Sequence, residues 1–145
     1  MTAIYAVIAI LIVAVIAKTV TAEKNSSQTV NLAVAIAIAE GTLNPDGTAN
    51  LGSAGYRSNN PGDILDANGG LVAYATIQDG WNALYAQVNL MLTGKSAYYR
   101  PGMSLIQVAG VYTGGDSPQG WAQAVAQRLG VSITTTLDEI GSIVT

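Results

Sequence analysis

The chain opens on an unbroken apolar run. Residues 1–17 carry no charged side chain and consist mostly of Ala, Ile, Val and Leu. Lys18 ends the strict run, and residues 19–22 extend it if the Lys18 ammonium snorkels toward the headgroups. A helical bilayer span takes about 20 residues and at least about 17, so residues 1–22 are expected to form a transmembrane anchor. The run has no polar face, which sets it apart from a helix lying on a protein core. A cleaved signal peptide is the alternative, since Val20-Thr21-Ala22 before Glu23 fits a small-residue cleavage site. No Lys or Arg precedes the run, however, so the positive n-region of a signal peptide is missing, and a retained anchor is favoured. Residues 23–28 are polar and read as a short tether that would hold residues 29–145 close to a bilayer surface.

Beyond the tether the pattern becomes that of a small globular domain. Asn25, Ser26 and Ser27 offer N-caps for a helix over 29–40. Within it, 32–39 strictly alternate large apolar residues (Leu, Val, Ile) with Ala, a period that also suits a strand. Ala at every second position favours helix over sheet, and Gly41 can take the left-handed conformation that ends one. Residues 41–70 are rich in Gly, Asn, Asp and Ser, and a loop that long inside a compact domain usually has a function. Residues 62–65 and 71–75, joined by the turn Asn68-Gly69-Gly70, predict a small β-hairpin. After 76–79, Trp81, Leu84, Tyr85, Val88, Leu90, Met91 and Leu92 give a helix a broad apolar face, which Gly94 closes. Pro101-Gly102 is a turn, and Ser104 caps a short helix over 105–111. The loop 113–118 leads to a helix over 119–129 that Gly130 ends, and 137–140 form a last helical turn. The fold class expected is mainly α, of α+β type, with one small sheet element.

Composition narrows the chemistry. One domain fits within 145 residues. Half of the residues are hydrophobic, mean hydropathy is +0.35, and only 10% are charged. A net charge of -3 with no basic stripe argues against binding a phosphate backbone, so no nucleic-acid partner is expected. The chain has neither Cys nor His. It cannot build a Ser-His-Asp triad, a Cys-His pair or a His-ligated zinc site, and no metal or cofactor is expected. Hydrolytic chemistry would have to come from carboxylates, Tyr, Ser, Thr or Lys.

Glu40 is the carboxylate best placed for it. Its neighbours are Ala39 and Gly41, at the end of an apolar helix, where desolvation and the negative end of the helix dipole both favour the protonated form. A carboxyl that keeps its proton near neutrality is what glycosidic cleavage requires of its acid. The plainer reading of Glu40 is an exposed helix-end residue. A second acid is less evident. Asp63 and Asp46 are the candidates, and Asp63 reads more readily as part of the turn after Asn60-Pro61. Trp81 and Trp121 read as core residues near the starts of amphipathic helices. Tyr98-Tyr99 suit either a cleft edge or a membrane interface.

The order Ala39-Glu40-Gly41, Arg57-Ser58-Asn59-Asn60-Pro61-Gly62-Asp63, Thr76-x-x-Asp79-Gly80-Trp81-x-Ala83-Leu84, Val111-Tyr112-Thr113-Gly114 and Trp121-x-x-x-Val125-x-x-x-Leu129-Gly130 resembles the phage and bacterial structural-lysozyme group. The catalytic domains of that group are similar to lytic transglycosylases and goose-type lysozymes. The resemblance spans roughly residues 32–133. It implies a lysozyme-like helical domain that cleaves the β-1,4 bond between MurNAc and GlcNAc in peptidoglycan, with Glu40 as the catalytic residue. It also implies Tyr112 at the position of the group's cleft tyrosine. Tyr56 is a candidate for stacking on a sugar, and Asn60 and Gln78 for contacts with N-acetyl groups. The chain departs from the pattern at Gly41, where Ser is usual, and at Tyr112-Thr113-Gly114-Gly115, where Tyr-Asn-x-Gly is common.

Anchor and resemblance together imply a membrane-associated phage virion protein that opens the wall during genome entry. Its expected location is a virion internal membrane or the periplasmic side of a bacterial envelope. Its expected partners are peptidoglycan glycan strands, a lipid membrane bound through residues 1–22, and virion membrane or capsid proteins. The alternative is a non-catalytic structural membrane protein that keeps a lysozyme-like fold.

Overall fold

The computed structural model describes residues 27–143, and the expected membrane anchor at 1–22 lies outside them. Among the described residues no helix is long and apolar enough to cross a membrane. The described chain is mainly helical. α1 occupies 27–39 and is followed by α2 (Ala54–Arg57), α3 (Ile77–Leu92), α4 (Leu105–Tyr112), α5 (Pro118–Leu129) and α6 (Leu137–Ser142). α1 takes in Ser27 and Gln28, two positions expected in the tether. Gln28 is buried, and its amide donates to the Ile143 carbonyl, which ties the far end of the chain to the start of α1.

α1 is the core of the fold because its alternation of large and small apolar residues lets neighbours approach on several sides. Leu32, Ala33, Ala35, Ile36 and Ala37 are all buried. They join one cluster with Leu84, Val88 and Met91 of α3, Leu105 and Val108 of α4, Val125 of α5 and Leu137 of α6. Burial of each large aliphatic side chain contributes about 1.5–3 kcal/mol. The helix ends in a Schellman motif. Gly41 stands at φ +73, its N–H bonds the Ile38 carbonyl, and the Thr42 N–H reaches back to the Ala37 carbonyl at 3.0 Å. The reversal leaves Glu40 at the point where the chain leaves the core.

The other helices begin at capping boxes or special backbone. Thr76 and Asp79 cap each other at the start of α3, so this helix begins before Trp81. Ser104 and Gln107 do the same for α4, as do Thr136 and Glu139 for α6. α5 carries Pro118 in its first turn and ends at Gly130, φ +69. An antiparallel bridge between Ser104 and Thr136 joins the entrances of α4 and α6.

The expected hairpin is reduced to a single antiparallel bridge, Leu65 to Leu71, flanked by the Val72 N–H to Ile64 carbonyl bond. Asn60 and Ser58 account for this shortening: the Asn60 amide bonds the Ile64 N–H and the Ile64 and Val72 carbonyls, and the Tyr74 N–H bonds the Ser58 carbonyl, so groups that a longer ladder would use are taken up elsewhere. A second bridge, Leu43 to Ala49, and the single-turn α2 give order to the stretch 41–70.

Candidate active site

Three segments bring their ends together. α1 delivers Glu40, the last turn of α4 delivers Tyr112, and the first turn of α5 delivers Trp121. With Asp63 and Leu65 from the central loop, and Thr113, Asp116 and Ser117 from the α4–α5 loop, they line a cleft of about 550 Å³. That size suits a small-molecule or sugar-binding site.

Glu40 is half-buried in the wall of this cleft. The Trp121 indole Nε1–H donates to its Oε1 at 2.6 Å. No hydrogen bond from a described residue reaches Oε2. Burial lifts the Glu40 carboxyl from its ordinary 4.5 to about 7. The indole bond opposes that rise because it favours the ionised form, and the negative charge of Asp63 adds to it. A carboxyl in this position holds its proton close to neutrality and is oriented by a donor that cannot take the proton away.

Asp63 shares the cleft, and burial raises its carboxyl as well. Its backbone is left-handed at φ +46, and Ser117, which also lines the cleft, is left-handed at φ +47. Non-glycine residues seldom adopt that region, and where they persist the surrounding structure holds them there. Close packing behind Asp63 does so. A Cβ on Gly55 would stand 2.1 Å from Asp63 Oδ1, so only glycine leaves room for the carboxyl. Among the described residues that buried oxygen has no hydrogen-bond partner, and Thr42 Oγ1 nearby has none either.

Tyr112 links the parts. Its hydroxyl donates to the Gly62 carbonyl at 2.6 Å, which pins the residue before Asp63. Its ring lies 5.0 Å from that of Trp121 and 6.4 Å from that of Tyr99. Burial and the charge of Glu40 push the Tyr112 phenol well above its ordinary range and lift Tyr99 to about 12, so both stay neutral donors.

The structure brings Tyr112 and Asp63 to Glu40, but not the other expected contacts. Asn60 is a correction. It is fully buried, its amide nitrogen donates to the Ile64 and Val72 carbonyls, and its oxygen accepts from the Ile64 N–H, so no polar atom is left for an N-acetyl group. Gln78 lies exposed on the first turn of α3, bonded to Asn82, and Tyr56 sits on α2. Neither lines the cleft. Asp46 is a surface residue whose carboxylate accepts from Thr48, which holds it below the usual carboxylate range. Trp121 is buried, as a core residue should be, yet it also supplies the hydrogen bond to Glu40. Asp116 and Ser117 were missed. The signal for them was the Gly-rich loop 113–118 joining two helices whose facing ends carry Tyr112 and Trp121.

Among the described residues no group of three or more carboxylates is arranged to hold a metal ion. No protein-family model matches the chain, and neither a curated protein nor a solved structure is significantly similar to it.

Proposed function

We propose that the protein is a peptidoglycan-cleaving enzyme, a lytic transglycosylase or muramidase, with Glu40 as its general acid. The observation that carries this reading is the Glu40 carboxyl itself: half-buried in the cleft wall, bonded at one oxygen by the Trp121 indole, and raised by burial to about 7. Protonated Glu40 gives its proton to the glycosidic oxygen as the C1–O bond breaks, and positive charge develops on the sugar. Asp63, which lines the same cleft, adds negative charge close to that centre. Glu40, now a carboxylate, then takes the proton from the hydroxyl that attacks C1. If the attacker is the sugar's own 6-hydroxyl the product is a 1,6-anhydro end, and if it is water the product is an ordinary reducing end. The resemblance to lytic transglycosylases favours the intramolecular route, in which Glu40 serves as both acid and base and no second carboxylate need hold a water.

Residues 1–22 would hold this domain at a membrane, in a virion or on the periplasmic side of an envelope, where cleavage is local. The full chain in mild detergent should clear peptidoglycan in a gel, and Glu40→Gln should not. Mass spectra of the released fragments should show anhydro ends. Ordinary reducing ends would replace the transglycosylase with a hydrolytic lysozyme. No clearing by the wild type would favour a structural protein with a lysozyme-like fold.

A further inference from the structure

The end of the domain where α1 begins is also where α3 finishes. α3 starts against the loop that borders the acid cleft, since a Cβ on Gly80 would meet the Asn59 carbonyl and Pro61. At its other end it packs on α6, where Gly141 lies beside the Leu92 carbonyl. Two residues further on, the Ile143 carbonyl accepts from the Gln28 amide at the start of α1. The end of α3 therefore lies toward the point where residues 23–26 join the domain. Those four residues reach at most about 14 Å, so with residues 1–22 in a membrane the start of α1 stays within that distance of the lipid headgroups.

The groups shown by α3 and the loop after it suit a bilayer surface. Tyr98 is 76% exposed and Leu90 43%, and with Leu65 they line one hollow. Tyr99 is buried and holds the loop to the core, while the Tyr98 ring stays outside. Charge follows the same pattern. The chain carries -3 overall, yet no Asp or Glu occurs between Asp79 and Asp116, and the only charged residues in that interval are Lys95 and Arg100. Both are exposed. The neighbouring acids are Asp63, on the wall shared with the acid cleft, and Asp138, whose N–H bonds the Pro101 carbonyl. A ring with a polar tip, an exposed aliphatic side chain and cations on long stems are the groups that settle at the boundary between headgroups and acyl chains.

We infer that this face rests on the bilayer, with Tyr98 and Leu90 entering the headgroup–acyl boundary and Lys95 and Arg100 facing lipid phosphates. The inference rests on the reading of residues 1–22 as a membrane anchor and not on the chemistry of Glu40. Leu65 lines both the hollow and the acid cleft, so the contact also sets which way the cleft opens relative to the bilayer.

The chain has no Cys, so one introduced cysteine gives a unique labelling site. The test uses the full chain in vesicles of phosphatidylcholine and phosphatidylglycerol, with a fluorophore at Ala97→Cys beside Tyr98 or at Gln123→Cys, an exposed position on α5. Nitroxides carried at shallow positions on the lipids should quench the label at 97, and iodide should quench it at least about threefold less than the label at 123. Adding Tyr98→Ala and Leu90→Ala should return iodide access at 97 to the level seen at 123. Equal iodide access at the two positions, in a chain that alkaline carbonate does not strip from the vesicles, overturns the inference and leaves the anchor standing. Shielding from iodide at 97 without quenching by the lipid nitroxides also overturns it, because a second copy or another protein segment then covers the face. Extraction of the chain by carbonate overturns the anchor and this inference together. Peptidoglycan cleavage by the same vesicles reports on Glu40 independently of all three results.

Discussion

Trp121 shows how one side chain serves two purposes. Its ring packs in the core against Tyr112, and its Nε1–H reaches out of that packing to hold Glu40. Removing the donor while keeping an aromatic ring isolates the second purpose. Trp121→Phe should move the alkaline limb of the cleavage profile to higher pH, because the indole bond is what holds the Glu40 carboxyl down. It should also lower kcat roughly 10–100-fold through loss of orientation. A rate profile measured across neutral pH checks both effects. Glu40 itself was legible in the sequence, since a lone carboxylate between Ala39 and Gly41 at the end of an apolar run has few places to go. The Trp121 contact was not, because it joins residues 81 apart and a tryptophan near a helix start reads as core. Asn60 failed for the related reason that an asparagine before proline looks the same whether its amide faces solvent or is consumed by its own loop.

At the scale of elements, the site depends on how the loop 55–63 is clamped between α1 and α3. Gly80 lies where α3 crosses that loop, and a Cβ there would stand 1.8 Å from the Asn59 carbonyl oxygen. A Cβ on Gly62 would stand 2.7 Å from Leu84 Cδ1, a side-chain end that gives way more readily. Gly80→Ala should therefore force backbone apart and destabilise the fold by about 2–4 kcal/mol, read as a lower melting temperature. Gly110 has open space around it, so Gly110→Ala in α4 should be neutral or slightly stabilising by the same measurement, as helix propensity predicts. The helices were readable because Ser104, Gly41 and Gly130 mark their ends by local chemistry, whereas residues 76–79, expected to precede α3, form its capping box and first turn. α2 and the bridge pairs were not, since four residues carry no period, and a pairing such as Leu43 with Ala49 depends on side-chain turns that pattern alone does not resolve.

For the molecule as a whole, the acid that would do the chemistry also costs stability. Folded, Glu40 titrates at about 7 against 4.5 for an unperturbed side chain, so the native state holds the proton more tightly. Its contribution is fully present below about pH 4.5 and is lost as pH rises through about 7. Glu40→Gln, which never ionises, should melt like the wild type near pH about 4 and above it at pH about 8, by about 2 kcal/mol once solvent screening is allowed for. Differential melting at the two pH values tests this without any substrate. The central claim is that the protonated Glu40 carboxyl breaks the glycan strand, and the pH dependence of kcat/KM for peptidoglycan cleavage by the full chain tests it most directly. The profile should fall on the alkaline side with a midpoint at about 7, and Glu40→Gln should be inactive throughout. A rate that stays level through that range, or persists in Glu40→Gln, would contradict it.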